Sequence, residues 1–197
     1  EDSFMNKLKT TALMLITLVS AVPFLTGCQS DTVSSSASVS YVENENIGKN
    51  KHEADLGASV TVDTTTFTVH NVIDVNKTSD DGGKYIYVKY TIKNSSDKNF
   101  KVDNLNNFYI SIDGKNYNND VRANLYAKQS IKDYVELDSV PAGEEVTNYV
   151  GFIVPENTKS VTCGYYVTSG EKTDKQDTII CEVASSEWIQ PPADMLK

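Results

Sequence analysis

A chain of 197 residues with a net charge of -9 and a single Trp has room for one folded domain and is short for two. It shows no Lys/Arg cluster, which argues against nucleic acid as a partner, since phosphate binding needs a clustered basic footprint. Its wealth of Tyr, Thr, Val, Ser and Asn favours strands and turns over helices.

The first stretch reads as an address. The expected start is Met5, with Glu1–Phe4 ahead of it. Lys7 and Lys9 make a positive region, and Thr11–Phe24 is an apolar run too short to span a bilayer comfortably. Leu25-Thr26-Gly27-Cys28 then resembles the lipobox of bacterial lipoproteins. This implies a signal peptide over residues 1–27, cleavage before Cys28, and a diacylglyceryl group on its thiol. Two acyl chains suffice for stable membrane attachment. The expected location is therefore extracellular, on the outer face of the cell membrane. The competing reading is an ordinary secretory signal with an incidental Cys.

Residues 28–55 read as a tether. The Ser-rich first part and the charged second part have no apolar period and bury too little to offset their ordering entropy. Such a linker reaches on the order of 30 Å. His52 lies within it and is given no specific role.

Residues 56–184 read as the domain, taken in order. Ala58–Val62 is a short strand. In the next, Phe67 and Val69 alternate inward until Asn71 breaks the pattern, which suggests a bulge or a change of face. His70 is placed on the solvent side of that strand. Ser79–Gly83 is a turn cluster. It feeds Tyr85–Asn94, where Ile86, Val88, Tyr90 and Ile92 share one face at period two. Phe108, Ile110 and Ile112 repeat the pattern, and Asp113-Gly114 signals a hairpin returning through Tyr117. Residues 120–138 lack period two and read as a loop or a short helical turn over one end. Glu145–Val154 is a long strand that Pro155 stops. Lys159–Thr168 and Thr178–Val183 form a last pair, and residues 185–197 a tail. About seven short strands without a helix-length apolar pattern predict an all-β, immunoglobulin-like antiparallel sandwich.

Leu56-Gly57, Tyr85–Asn94, Asp113-Gly114-Lys115, Pro141-Ala142-Gly143-Glu144 and Gly151–Pro155 follow one another in a fixed order. In this the chain resembles a bacterial telokin-like domain family of unknown function, frequent in lipoproteins of Gram-positive bacteria. That family is similar in fold to the secreted immunoprotective antigen of mycobacteria. The resemblance implies an immunoglobulin-like sandwich and carries over no catalytic residues.

Pairing the last two strands about residue 172 sets Val161 opposite Val183, Cys163 opposite Cys181 and Tyr165 opposite Ile179. A cross-strand disulfide follows if the cysteines occupy a non-hydrogen-bonded site; otherwise they are two buried thiols. Asp80-Asp81 and residues 113–120 are oxygen-rich but lack EF-hand spacing, so no metal and no cofactor is expected. His52 and His70 accompany no nucleophile motif, and the chain is read as no enzyme, a hydrolase being the weakest alternative. Tyr85, Tyr87, Tyr109, Tyr149 and Tyr166 alternate to the outward side. They form the candidate binding face, for a surface protein or a cell-wall polymer; the competing and simpler reading is ordinary strand propensity on a wet sheet face. The expected function is a surface lipoprotein displaying a binding sandwich. The alternative is a small solute-binding or sensory accessory of a membrane complex.

Overall fold

The computed structural model describes residues 47–169 and 174–197. The signal segment, Cys28 and most of the tether lie outside the described residues. The chain pairs into two main sheets. One contains β2 (Ser59–Val62), β3 (Thr65–Thr78), β4 (Gly83–Asn94) and β9 (Glu145–Pro155), in the order β2-β3-β4-β9. The other contains β1 (Asn50–Glu53), β6 (Phe108–Ile112), β7 (Lys115–Asn118), β10 (Ser160–Tyr166) and β11 (Asp177–Ala184), in the order β1-β11-β10-β6-β7. A small ribbon joins β5 (Phe100–Lys101) to β8 (Ser139–Val140).

The inner faces meet in one apolar core. Phe67 of β3 stacks on Tyr165 of β10 with centroids 4.7 Å apart, and Phe108 of β6 tilts against Tyr90 of β4 at 4.5 Å. Ile86, Val88 and Ile92 are buried in the same core, as period two in β4 requires. The fold is thus the expected all-β sandwich, with one difference: β1 pairs parallel with β11, whereas every other strand pair is antiparallel among the described residues.

That edge strand also corrects the tether. Asn50–Glu53 belongs to the sheet, and His52 Nε2 lies 3.0 Å from Asp177 Oδ1. Pairing with an existing strand satisfies the backbone of a segment that has no apolar period of its own.

The register of the β10–β11 hairpin matches the symmetric expectation, with Cys163 facing Cys181. The disulfide does not follow: both are free, buried thiols. The ladder supplies the reason. Ser185 N–H donates to Lys159 O at 2.7 Å and Val167 N–H to Asp177 O at 2.9 Å. Cys163–Cys181 has the same parity and is a hydrogen-bonded pair. Its Cβ atoms fall at the wide end of about 4.5–5.5 Å, whereas a disulfide requires about 3.5–4.5 Å. Burial pushes the Cys181 thiol up to about 11 and Cys163 higher still.

The stretch 120–138 resolves into α1 (Val121–Ser130), capped by Asp120, whose Oδ1 accepts the Arg122 N–H at 2.8 Å. Its buried residues are Ala123 and Ala127, one turn apart. They let α1 sit close on the outer face of β9, where Gly151 has no side chain to hold it off. The tail docks as well. Ile189 bridges Ile73 in parallel, exchanging backbone bonds with Val72 and Asp74, and Met195 is buried.

Candidate functional site

The expected tyrosine face is not a surface. Tyr85, Tyr87, Tyr109, Tyr149 and Tyr166 are all buried. They do point away from the sandwich core, but they are split between two sheets and covered on both. Tyr85, Tyr87 and Tyr149 join Ile73, Val75, Ala123, Ala127 and Met195 in a second core beneath α1 and the tail. Tyr87 Oη donates to Ala123 O at 2.7 Å. Burial, then the neighbouring phenols of Tyr126 and Tyr85, pushes its ionisation well above the usual range. On the other sheet Tyr109 stacks on Tyr166 with centroids 4.7 Å apart. Tyr109 lies over Gly164, where a Cβ would stand 2.1 Å from its ring. Tyr166 is approached by Gly48 and lies under Lys175 Nζ.

The exposed large apolar side chains lie elsewhere. Val121 and Leu125 are 67% and 55% exposed, Leu105 47% and Val135 50%. Val121, Leu125 and Lys128 follow at i, i+4 and i+7, so they share the outward stripe of α1. This stripe is one wall of an open groove of about 330 Å³, closed on the other sides by Asp103–Leu105 and by Tyr134, Glu136 and Leu137. Lys128 Nζ and Glu136 Oε1 pair at its rim, 2.7 Å apart.

Buried amides hold the walls. Asn104 Oδ1 accepts Tyr90 Oη at 2.7 Å, and its Nδ2 donates to Tyr149 O at 3.4 Å. Asn119 donates to the Asn104 carbonyl. Asn148, fully buried in β9, accepts the Val135 N–H at 3.0 Å and donates to Val135 O at 2.7 Å. Asn104 thus pairs one backbone carbonyl on the β9 edge, that of Tyr149, and Asn148 pairs both backbone groups of Val135 beside it. Asn124, in the groove wall, donates to Asp120 O at 3.2 Å, and its Oδ1 is buried with no hydrogen-bond partner among the described residues. Burial pushes the Tyr134 phenol up.

The histidines sit apart from this groove. His70 Nε2 lies 2.7 Å from Thr91 Oγ1, and burial followed by the charge of Lys89 lowers its pKa below 6.5. Asp81 and Asp120 bracket Arg122 at 3.2 and 2.8 Å. Among the described residues no group of three or more His, Cys, Asp or Glu is placed to hold a metal ion. Among them no helix is long and apolar enough to cross a membrane.

Sequence reading missed the groove because Leu105, Val121 and Leu125 lie in stretches without period two. The signal present was the i, i+4 spacing of Ala123 and Ala127 beside that of Val121 and Leu125.

No curated protein matches the chain. Three solved structures are similar. The ycdA protein of Bacillus subtilis, described as a candidate lipoprotein, has TM-score 0.47 at 14% identity over 65% of this chain, which spans 38% of that one. The yjhA protein of Bacillus subtilis has TM-score 0.47 at 12% identity, over 65% of this chain and 97% of its own. An uncharacterised β-sandwich protein of Clostridium difficile has TM-score 0.41 at 14% identity, over 69% and 95%. The family model described as a domain of unknown function, DUF4352, matches residues 54–175, more than half of the sequence, and the chain belongs to that family.

Proposed function

We propose that the protein is a lipoprotein held on the outer face of a membrane through Cys28, and that its sandwich is a non-catalytic binding module for a surface protein. The anchor rests on the ordered signal of charge, apolar run and Leu25-Thr26-Gly27-Cys28. Within this reading the sandwich is of the telokin-like kind, similar to the mycobacterial secreted antigen. The support is the order of its turn motifs along two packed sheets.

The observation that carries the binding role is the groove beside α1. Three exposed large apolar side chains, Leu105, Val121 and Leu125, line it, and contiguous exposed apolar surface of this kind marks interaction sites. Its walls are held by the side-chain bonds of Asn104 and Asn148, and preformed walls lower the ordering cost of binding. The occupant it suits is a protein segment offering aliphatic side chains, from a partner whose contact surface is neutral or basic, given a net charge of -9.

The test places a photo-crosslinking residue at Val121, Leu125 or Leu105 of the anchored protein in living cells. One recurring protein crosslinked from these positions, and lost with Leu125→Asp, supports the reading. Crosslinks that arise equally from Lys115 on the opposite sheet sink it. The groove volume lies near the lower end of small-molecule sites, about 300–1,000 Å³, so a solute-binding accessory is the second reading. It predicts a bound small molecule released on denaturation of the purified protein. Intact mass of membrane-extracted protein tests the anchor: the chain should begin at Cys28 with a diacylglyceryl group.

A further inference from the structure

The outer face of the four-stranded sheet is divided. One half is buried under α1 and the tail. The other half bears no large apolar side chain. Its register places Ser59 beside Thr68, Thr68 beside Thr91, and Thr91 beside Thr147. A single row of hydroxyls therefore crosses all four strands. At about 4.8 Å per strand the row is about 14 Å long.

The row is ordered by its own bonds. Ser59 Oγ and Thr68 Oγ1 are 2.7 Å apart, Thr91 Oγ1 and Thr147 Oγ1 2.6 Å, and His70 Nε2 reaches Thr91 Oγ1 at 2.7 Å. A second row runs parallel to it. There Thr61 and Thr66 are bonded at 2.8 Å, and Lys93 stands opposite Glu145. A shallow cleft of about 330 Å³ follows the rows from Gly57 to Glu145. Each hydroxyl offers one donor and two lone pairs; Thr68 is itself buried, while Ser59 and Thr147 are exposed and Thr91 half-buried, so these three keep hydrogen-bonding capacity toward solvent. The cleft lining has one formal positive and one formal negative charge, Lys93 and Glu145, with Lys89 beyond it along β4, on a chain with a net charge of -9. Burial, then the charge of Lys89, lowers the His70 pKa and so favours the neutral ring.

We propose that this hydroxyl platform is a contact surface for a neutral glycan chain, with sugar hydroxyls aligned along the Ser59–Thr147 row and a ring seated in the cleft. A peptide ligand would need an apolar pocket, which this face lacks, or a strand edge, and the β2 edge that borders it is only four residues long. A polyanion would need a basic patch, and the charges lining the cleft cancel. Cross-strand Thr pairs also stabilise sheets, but stability alone does not require the pairs to line up across four strands on the half left uncovered. The site is independent of the groove beside α1.

The test uses the full chain solubilised in detergent and three insoluble probes: chitin, cellulose and protein-free cell-wall sacculi. Retention on at least one of them is expected. For chitin or cellulose it should be competed by chitohexaose or cellohexaose respectively. Thr147→Lys, at an exposed position, and Thr91→Val should each reduce retention at least tenfold. Thr147→Lys leaves the core untouched, so an unchanged melting curve separates lost binding from lost folding. Retention on none of the three overturns the proposal. So does retention that survives Thr147→Lys and Thr91→Val, or that vanishes only with Leu125→Asp in the groove.

Discussion

Gly151→Ala tests whether the seat of α1 sets the second core. A Cβ at Gly151 would stand 2.7 Å from Tyr87 Cε1, 2.8 Å from Ala123 Cβ and 3.1 Å from the Ala123 carbonyl carbon. Carbon atoms prefer about 3.5–4.0 Å. The third contact is backbone, so turning a side chain does not relieve it. The helix must rise by about half an ångström, or β9 must bend. Overpacking of this kind costs about 1–3 kcal/mol, which for a domain of this size lowers Tm by roughly 2–10 °C. Ala123→Gly removes one of the opposing atoms at about 1 kcal/mol of helix propensity. The double variant should then lose less than the two single losses added, by about 1 kcal/mol. Urea unfolding followed by the fluorescence of Trp188, the single Trp, measures all three. Gly151→Ala within about 0.5 kcal/mol of the parent chain, or strict additivity with Ala123→Gly, refutes this account of the helix seat.

Three further outcomes follow. Alkylation without reductant should spare Cys163 and Cys181 in the folded chain, where both are buried, and label both once it is denatured; a denatured chain that stays unlabelled is bridged and contradicts the ladder parity. Burial raises the phenols of Tyr87, Tyr90 and Tyr165. The folded state thus holds protons that the unfolded state gives up, so stability is retained below about pH 10 and falls as pH rises beyond it. Phenolate absorbance should show part of the tyrosines ionising reversibly and the rest only with unfolding; all of them titrating together with the fold intact refutes this. Asn148→Ala removes both bonds to Val135 and should cost about 1–3 kcal/mol. It should also speed hydrogen exchange at the Val135 amide, and unchanged protection there would show that Asn148 does not hold the groove wall.

What was legible depended on symmetry and period. The β10–β11 register could be read because a hairpin has one centre, and the inward face of β4 because period two marks alternate sides. The same alternation placed Tyr85, Tyr87 and Tyr149 outside the sandwich core, correctly, and then misled. Period two says which side a residue takes, not whether another layer covers that side. The cover came from α1, a helix of 10 residues whose buried side chains are two alanines, and from a tail without periodicity. Short helices of this kind are stable only through tertiary packing, which leaves little local signal. The groove was illegible for the same reason, since its walls come from three stretches with no common pattern. The Asp113-Gly114 turn, by contrast, was legible because its chemistry is local: both residues take positive φ, at 50° and 76°, as a tight hairpin demands.

The part that β3 plays in the divided sheet face traces to one residue. Phe67, Val69, Ile73 and Val75 are all odd-numbered, and an unbroken strand would send all four into the sandwich. Instead the register shifts between Val69 and Asn71, leaving His70 unpaired in the ladder. Before the shift, odd residues face inward and Thr66, Thr68 and His70 face out. After it, Val72 faces inward while Ile73 and Val75 turn outward. Apolar side chains sent to an outer face need cover, and α1 and the tail supply it over that half. The half before the bulge presents hydroxyls and needs none. A single inserted residue thus turns β3's outer face from hydroxyls to apolar side chains, to match Tyr85, Tyr87 and Tyr149, which β4 and β9 send outward in unbroken register. Deleting His70 should reverse the phase of one half of β3 against β4, forcing either Phe67 and Val69 or Ile73 and Val75 onto the wrong face. Since a one-residue slip moves every side chain beyond it, the expected result is an unfolded chain rather than a locally repaired one. A folded deletion variant with normal near-ultraviolet circular dichroism would show that the division of the face has another origin.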